Sequence, residues 1–359
     1  MRGRATSLLL ALFLPCAAAA ASAACVSPVS SCTEWVAVKG GPARALVYRS
    51  HPLDAASDAI TRAVVVIHGQ SRDADNYFRH ALAAAFLANA LETSIVVTPR
   101  IASHEGRNCR DTLAADELSW VCEGPNSWRS GGAAAGRDDI TSFDLVDEIL
   151  RRIARRDVFP NLKSIVLVGH SAGGQYVTRY AMAGRIHEKL GVAVTYVVAN
   201  PSSYTYPDSL RPTASALPAN VAAGAPGYAP GVPLKPPDPF VAFADADGCT
   251  NYDHWPYGLE RRTGYAARVG DDDLKAQLAG RPVTYLLGEL DILPLYGFDG
   301  SCAAMAQGPT RLARGLAYAR YVNEKFGAKH KAVVVPACGH NARCMFGAEA
   351  ALPLLFPRD

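Results

Sequence analysis

The chain predicts an α/β fold, a mostly parallel central sheet with helices on both faces. Three observations carry that reading. Short runs of β-branched residues alternate along the chain with longer stretches whose apolar residues recur at helical spacing. The strand-like runs are apolar at every position, as strands covered on both faces must be. The chain has 359 residues, 49% hydrophobic and 19% charged, which is material for one large core and not the composition of a disordered chain.

After a short extended N-terminal region, residues 63–67 read as a buried parallel strand that ends at His68-Gly69-Gln70. Residues 78–91 are helix-like and alanine-rich, and 94–98 form the next strand. Between 143 and 154, Phe143, Val146, Ile149, Leu150 and Ile153 fall on one helical face. A strand over 164–168, a helix over 175–186 and a strand over 192–198 follow. Residues 201–239 break this rhythm. They hold ten of the chain's 24 prolines, too many for regular core structure, and read as an insertion over the sheet's strand ends. The pattern then resumes with a strand over 283–287, a helix over 310–326, a strand over 332–335 and a final helical segment over 343–356.

Residues 1–24 read as a cleavable secretory leader, leaving 25–359 as a single domain. Arg2 and Arg4 precede the apolar run 8–14, and Ala21-Ser22-Ala23 supplies the small-residue cleavage site. The run is too short to anchor the chain in a membrane. Ser22-Ala23-Ala24-Cys25 lacks the leucine usual at a lipoprotein site. Losing two arginines takes the formal charge from +3 to +1. That balance gives no reason to expect nucleic acid or an anionic membrane as partner, and a secreted or periplasmic location is expected.

Cys16 leaves with the leader, and eight cysteines remain. An even number in an oxidising compartment points to disulfides. Pairing nearest neighbours joins Cys25 to Cys32, Cys109 to Cys122 and Cys338 to Cys344, which leaves Cys249 with Cys302. A metal reading of Cys338-Gly339-His340 with Cys344 lacks a second ligand pair, so no metal and no cofactor is expected. The oligomeric state stays open.

The chemistry centres on Gly169-His170-Ser171-Ala172-Gly173, where an apolar strand runs into a helix. A serine between two glycines at that junction has the form of a nucleophile elbow. Its hydroxyl needs a base, and His340, after the last strand, is placed to serve. His170 and His68 read as structural. The histidine needs an acid, and Asp291 follows the strand over 283–287, with Glu289 as fallback and Asp245 and Asp247 as outside candidates. The backbone N–H groups of Ala172 and Gln70 are the expected oxyanion donors.

In this order, His68-Gly69-Gln70, Ser171, Asp291 and His340 resemble the α/β-hydrolase family, from about residue 62 to residue 356. The resemblance implies an eight-stranded, mostly parallel sheet and an acyl-serine mechanism. With the leader and cysteines, it looks like secreted polyester depolymerases and feruloyl-esterase-like members. The run of glycines that some lipases carry after the histidine is absent, so bulky tertiary-alcohol esters are not indicated. The expected function is a secreted serine hydrolase acting on a small or polymeric carboxylic ester. Amide cleavage by the same groups, as in a peptidase or polyamide hydrolase, and a catalytically silent binding protein are the alternatives. Trp120, Trp128, Tyr204, Tyr206, Tyr252, Trp255 and Tyr257 could bind substrate or fill loop cores. Arg107, Arg110 and Arg129 could meet a carboxylate or be solvated.

Overall fold

Runs that bury both faces of a strand build one eight-stranded sheet. The computed structural model describes residues 24–105, 109–212, 239–243 and 248–358. Its sheet comprises β1 Thr33–Ala37, β2 Arg44–Arg49, β3 Arg62–Ile67, β4 Ser94–Pro99, β5 Ser164–His170, β6 Ala193–Ala199, β7 Val283–Gly288 and β8 Lys331–Val335. In space the order is β1-β2-β4-β3-β5-β6-β7-β8. From β4 to the β8 edge every pairing is parallel, whereas β2 pairs antiparallel with both β1 and β4. Alternate residues of β3 feed opposite layers, as a strand's period of two requires. Val65 and Ile67 join one core layer, Val64 and Val66 the other.

The first layer packs against α2 Ser142–Ile153, α3 Ala172–Ala183, α4 Asp271–Gly280 and α5 Arg311–Phe326, and the second against α1 Ala74–Leu87 and the C-terminal residues. Helix α2 starts at a capping box, in which Thr141 and Asp144 satisfy each other's backbone N–H groups. Thr310 caps α5, which ends at Gly327 in the left-handed region.

The structure differs from the sequence expectation at several elements. The extended N-terminal region is the β1–β2 hairpin. Helix α1 starts and ends four residues earlier than its alanine-rich pattern suggested, because the apolar spacing does not mark a start and Asp73 precedes the first turn without capping it. Helix α3 begins directly after Ser171, not at residue 175. The final segment is two short helices, Ala342–Gly347 and Leu352–Leu355, the second with Pro353 in its first turn. Helix α4 was not anticipated, since only Leu274 and Leu278 of its residues are buried.

Residues 201–207 are buried in the core, where Tyr204 stacks on Tyr318 at 4.5 Å between ring centroids. A short antiparallel ladder joins Leu210–Pro212 to Phe240–Ala242. Most of the expected insertion (213–238), Asp245, Asp247, Arg107 and residues 1–23 of the expected leader lie outside the described residues. Disulfides link Cys25–Cys32, Cys109–Cys122, Cys249–Cys302 and Cys338–Cys344, the nearest-neighbour pairs. Among the described residues, no helix is long and apolar enough to cross a membrane.

Candidate active site

Strand β5 delivers Ser171 at φ 59° and ψ −120°, a backbone conformation that a serine adopts only under constraint. The constraint is visible in its neighbours. A Cβ on Gly169 would stand 2.2 Å from the Gly173 carbonyl oxygen, and one on Gly173 2.2 Å from that of Ile67. Strand and helix can pack this closely only because both positions lack side chains. The Ser171 N–H donates to Ala199 O at 2.9 Å, tying the turn to β6.

His340 reaches the serine from the loop after β8. Its Nε2 lies 2.9 Å from Ser171 Oγ, and its Nδ1 lies 2.7 Å from Asp291 Oδ2. The three side chains thus form one hydrogen-bonded series. The Asp291 side chain is 1% exposed and that of His340 7%. Glu289, the fallback acid, is turned elsewhere, and its Oε2 accepts the Ala337 N–H at 2.9 Å.

Two residues that sequence reasoning missed hold this geometry. Arg311, at the start of α5, donates to Asp291 Oδ1 at 3.2 Å and to Ser202 Oγ at 2.7 Å. Its Nη2 also holds the carbonyls of Leu295 and Tyr296. Burial lowers the Arg311 pKa from its ordinary value, and the Asp291 carboxylate works against that. Asn200, at the end of β6, accepts the Gly288 N–H at 2.7 Å and donates to Gly339 O at 3.1 Å. It therefore ties the acid's strand to the histidine's loop. A buried arginine or asparagine carries no sequence signal of its own; only the place of Asn200 after a strand end hints at such work.

Of the other histidines at the site, His170 and His68 are buried, and His80, on the cleft wall, is half-buried. The Tyr77 hydroxyl is 3.0 Å from His170 Nδ1, and the His170 ring centroid lies 4.7 Å from that of His340. Burial, reinforced by the nearby His340, pushes the His170 pKa well below its ordinary value, so the ring stays neutral. Burial likewise lowers His68 to about 4. Its Nε2 accepts the Ile101 N–H at 3.0 Å, which leaves Nδ1 to donate to Gly69 O.

A cleft of about 620 Å³ opens over Ser171 and His340, and Gly69, Gln70 and Tyr296 line its walls. Tyr296 is exposed and lies parallel to His340, with 6.3 Å between centroids. Ala172 heads α3, where the helix dipole favours negative charge. Gln70 is gripped twice: Arg72 holds its carbonyl at 2.9 Å and Arg129 holds its Oε1 at 2.7 Å. Of the aromatic candidates, Trp120, Trp128, Tyr204 and Tyr206 are core residues, whereas Trp255 and Tyr257 line a second cavity beside the cleft. Tyr252 packs on Phe243 and Arg211. Arg110 is exposed and Arg129 faces the second cavity. The proposed metal alternative fails on geometry, because Cys338 and Cys344 are bridged and His340 is engaged by Ser171 and Asp291.

Residues 64–352 match the sequence profile of the Alpha/beta hydrolase family. A solved poly(3-hydroxybutyrate) depolymerase, LpqC from Bordetella parapertussis, is similar with a TM-score of 0.56 and 22% identity, covering 89% of this chain and 85% of that one. Poly(aspartic acid) hydrolase-1 from Sphingomonas sp. KT-1 is similar with a TM-score of 0.57 and 22% identity, covering 90% and 97%. At that identity the likeness speaks for the fold. No curated protein matches the chain.

Proposed function

The chain belongs to the alpha/beta hydrolase family, and on that premise we propose that it is an exported serine hydrolase cleaving a carboxylic ester through an acyl-serine intermediate. One observation carries the reading: the unbroken series from Ser171 Oγ through His340 to Asp291 at the floor of an open cleft.

In this reading the substrate carbonyl lies over Ser171. As Oγ attacks, His340 Nε2 takes its proton, and the Asp291 carboxylate holds the imidazole tautomer and steadies the imidazolium. The negative charge that develops on the carbonyl oxygen meets the N–H groups of Ala172 and Gln70. Removing one such donor typically costs about 2.7–4 kcal/mol of transition-state stabilisation. Collapse of the tetrahedral intermediate breaks the ester bond, and His340 passes its proton to the departing alcohol. Water then attacks the acyl-serine with His340 as base, which releases the acid and restores Ser171. Export rests on the leader-like residues 1–24 and on the eight bridged cysteines.

The test is hydrolysis of p-nitrophenyl esters of increasing chain length beside matched peptide anilides. The purified protein is expected to turn over the esters, and Ser171→Ala to lose that activity by about 10⁶-fold. Faster turnover of the anilides would replace the ester with an amide. Undiminished activity in Ser171→Ala would overturn the reading.

A further inference from the structure

Arg179 projects from α3 eight residues beyond Ser171, about 12 Å along the helix axis. It is 1% exposed. Its Nη1 donates to Arg129 O at 3.1 Å and its Nη2 to Ser203 Oγ at 3.4 Å, while its buried Nε meets no acceptor. Arg129, beside it, donates from Nη1 to Gln70 Oε1. Among the described residues, neither guanidinium forms an ion pair with an aspartate or glutamate.

Other buried arginines of this core have more partners than Arg179. Arg311 has Asp291 and Arg281 has Glu188, whereas Arg211, with an unpartnered Nε of its own, makes three bonds to carbonyls where Arg179 makes one. A buried charge without such partners is strongly unfavourable, and two side by side repel. Burial, with Arg129 adding its charge, lowers the Arg179 pKa to about 9, and burial also lowers that of Arg129. Asp299 attracts both from a distance, and Glu123 attracts Arg129, but neither carboxylate bonds to a guanidinium, and that of Asp299 is taken up by Tyr257 Oη, Ser301 Oγ and the Ser301 N–H.

Both arginines line a cavity of about 660 Å³, whose other charged walls are Arg261, Glu123 and Asp299. Gln70 and Gly297 line this cavity and the Ser171 cleft alike, so the two spaces adjoin. We propose that the cavity is a subsite for an anionic arm of the substrate, a carboxylate received by Arg129 and Arg179 while the scissile carbonyl sits at Ser171. A carboxylate is the group that a pair of guanidiniums matches best, through parallel charge-assisted hydrogen bonds. Arg129, Arg179 and Arg261 still outnumber the two carboxylates of the lining, Glu123 and Asp299, and the substrate's acid supplies the remaining counter-charge, which makes the enzyme selective for esters that carry a second acid. This assignment rests on the serine-hydrolase reading above.

The experiment compares the mono-p-nitrophenyl ester of adipic acid with neutral p-nitrophenyl hexanoate. The wild-type protein is expected to favour the carboxylated ester in kcat/KM by about tenfold or more. Arg129→Gln and Arg179→Leu are each expected to bring that ratio close to unity. The ratio is the readout because impaired folding or a displaced Gln70 lowers both substrates together. Equal turnover by the wild type, or a preference that survives both substitutions, overturns the subsite. Failure of the wild type to cleave either ester counts against the hydrolase reading instead. The subsite is then judged by calorimetric titration of adipate into Ser171→Ala protein. Binding that disappears on adding Arg129→Gln upholds it, and no binding overturns it.

Discussion

Asp291 and Glu289 stand two residues apart after the same strand, yet only one meets the histidine. Asp291 Oδ2 lies 2.7 Å from His340, and Glu289 supports the backbone at Ala337. The choice was legible from the reach that a loop gives an aspartate; the reason it holds, the Arg311 guanidinium on Oδ1, was not. Ser171 and His340 were legible for a related reason, since each follows an apolar strand in a short glycine-containing segment. Arg311 and Asn200 were hidden because what they hold, Asp291 for the one and Gly288 and Gly339 for the other, lies 20 to 139 residues away in the chain. At this level we expect Asp291→Asn to lower kcat by about 10⁴-fold, with little change in KM, because an amide favours the wrong imidazole tautomer. Glu289→Gln is expected to cost less than about tenfold, since it keeps a carbonyl oxygen for the Ala337 N–H. Steady-state kinetics on both variants decides, and similar losses would remove Asp291 from its assigned role.

The site is an arrangement of strand ends. The loops after β5, β7 and β8 each bring one side chain, and backbone bonds lock the last two together: Glu289 N–H to Val335 O and Leu290 N–H to Cys338 O. Such pairings depend on register and cannot be read from one strand at a time. Element boundaries were obscured for similar reasons. α3 starts at Ala172 because the elbow forces the turn at Ser171, although apolar spacing alone suggested a later start. The bridge between Cys338 and Cys344 closes the loop that carries His340. A loop this short confers about 2 kcal/mol by chain entropy. Its reduction is expected to lower kcat by about tenfold, as His340 loses pre-organisation, before any loss of helical circular dichroism. Full activity with the bond open would show that the loop is held by Asn200 and the strand ends alone.

The assembled molecule joins what the chain separates. His340 and Ser171 are 169 residues apart, and His340 and Asp291 are 49 apart, yet all three meet where parallel strands end on one edge of the sheet. The alternation of strand and helix patterns was enough to foresee that sheet. The antiparallel β1–β2 edge was not foreseen, because neither strand is apolar throughout. Of the adjoining arginine cavity only Arg129 was singled out in the sequence; Arg179, which comes from α3 while Arg129 belongs to a short 3-10 turn some fifty residues earlier, was not. If Ser171 is the proposed nucleophile, made reactive by the complete fold, its response to a fluorophosphonate probe should depend on that fold. In folded protein, mass spectrometry should find a single adduct on Ser171, absent from urea-unfolded protein and from Ser171→Ala. An adduct on another residue, or no adduct in the folded wild type, would contradict the proposed nucleophile.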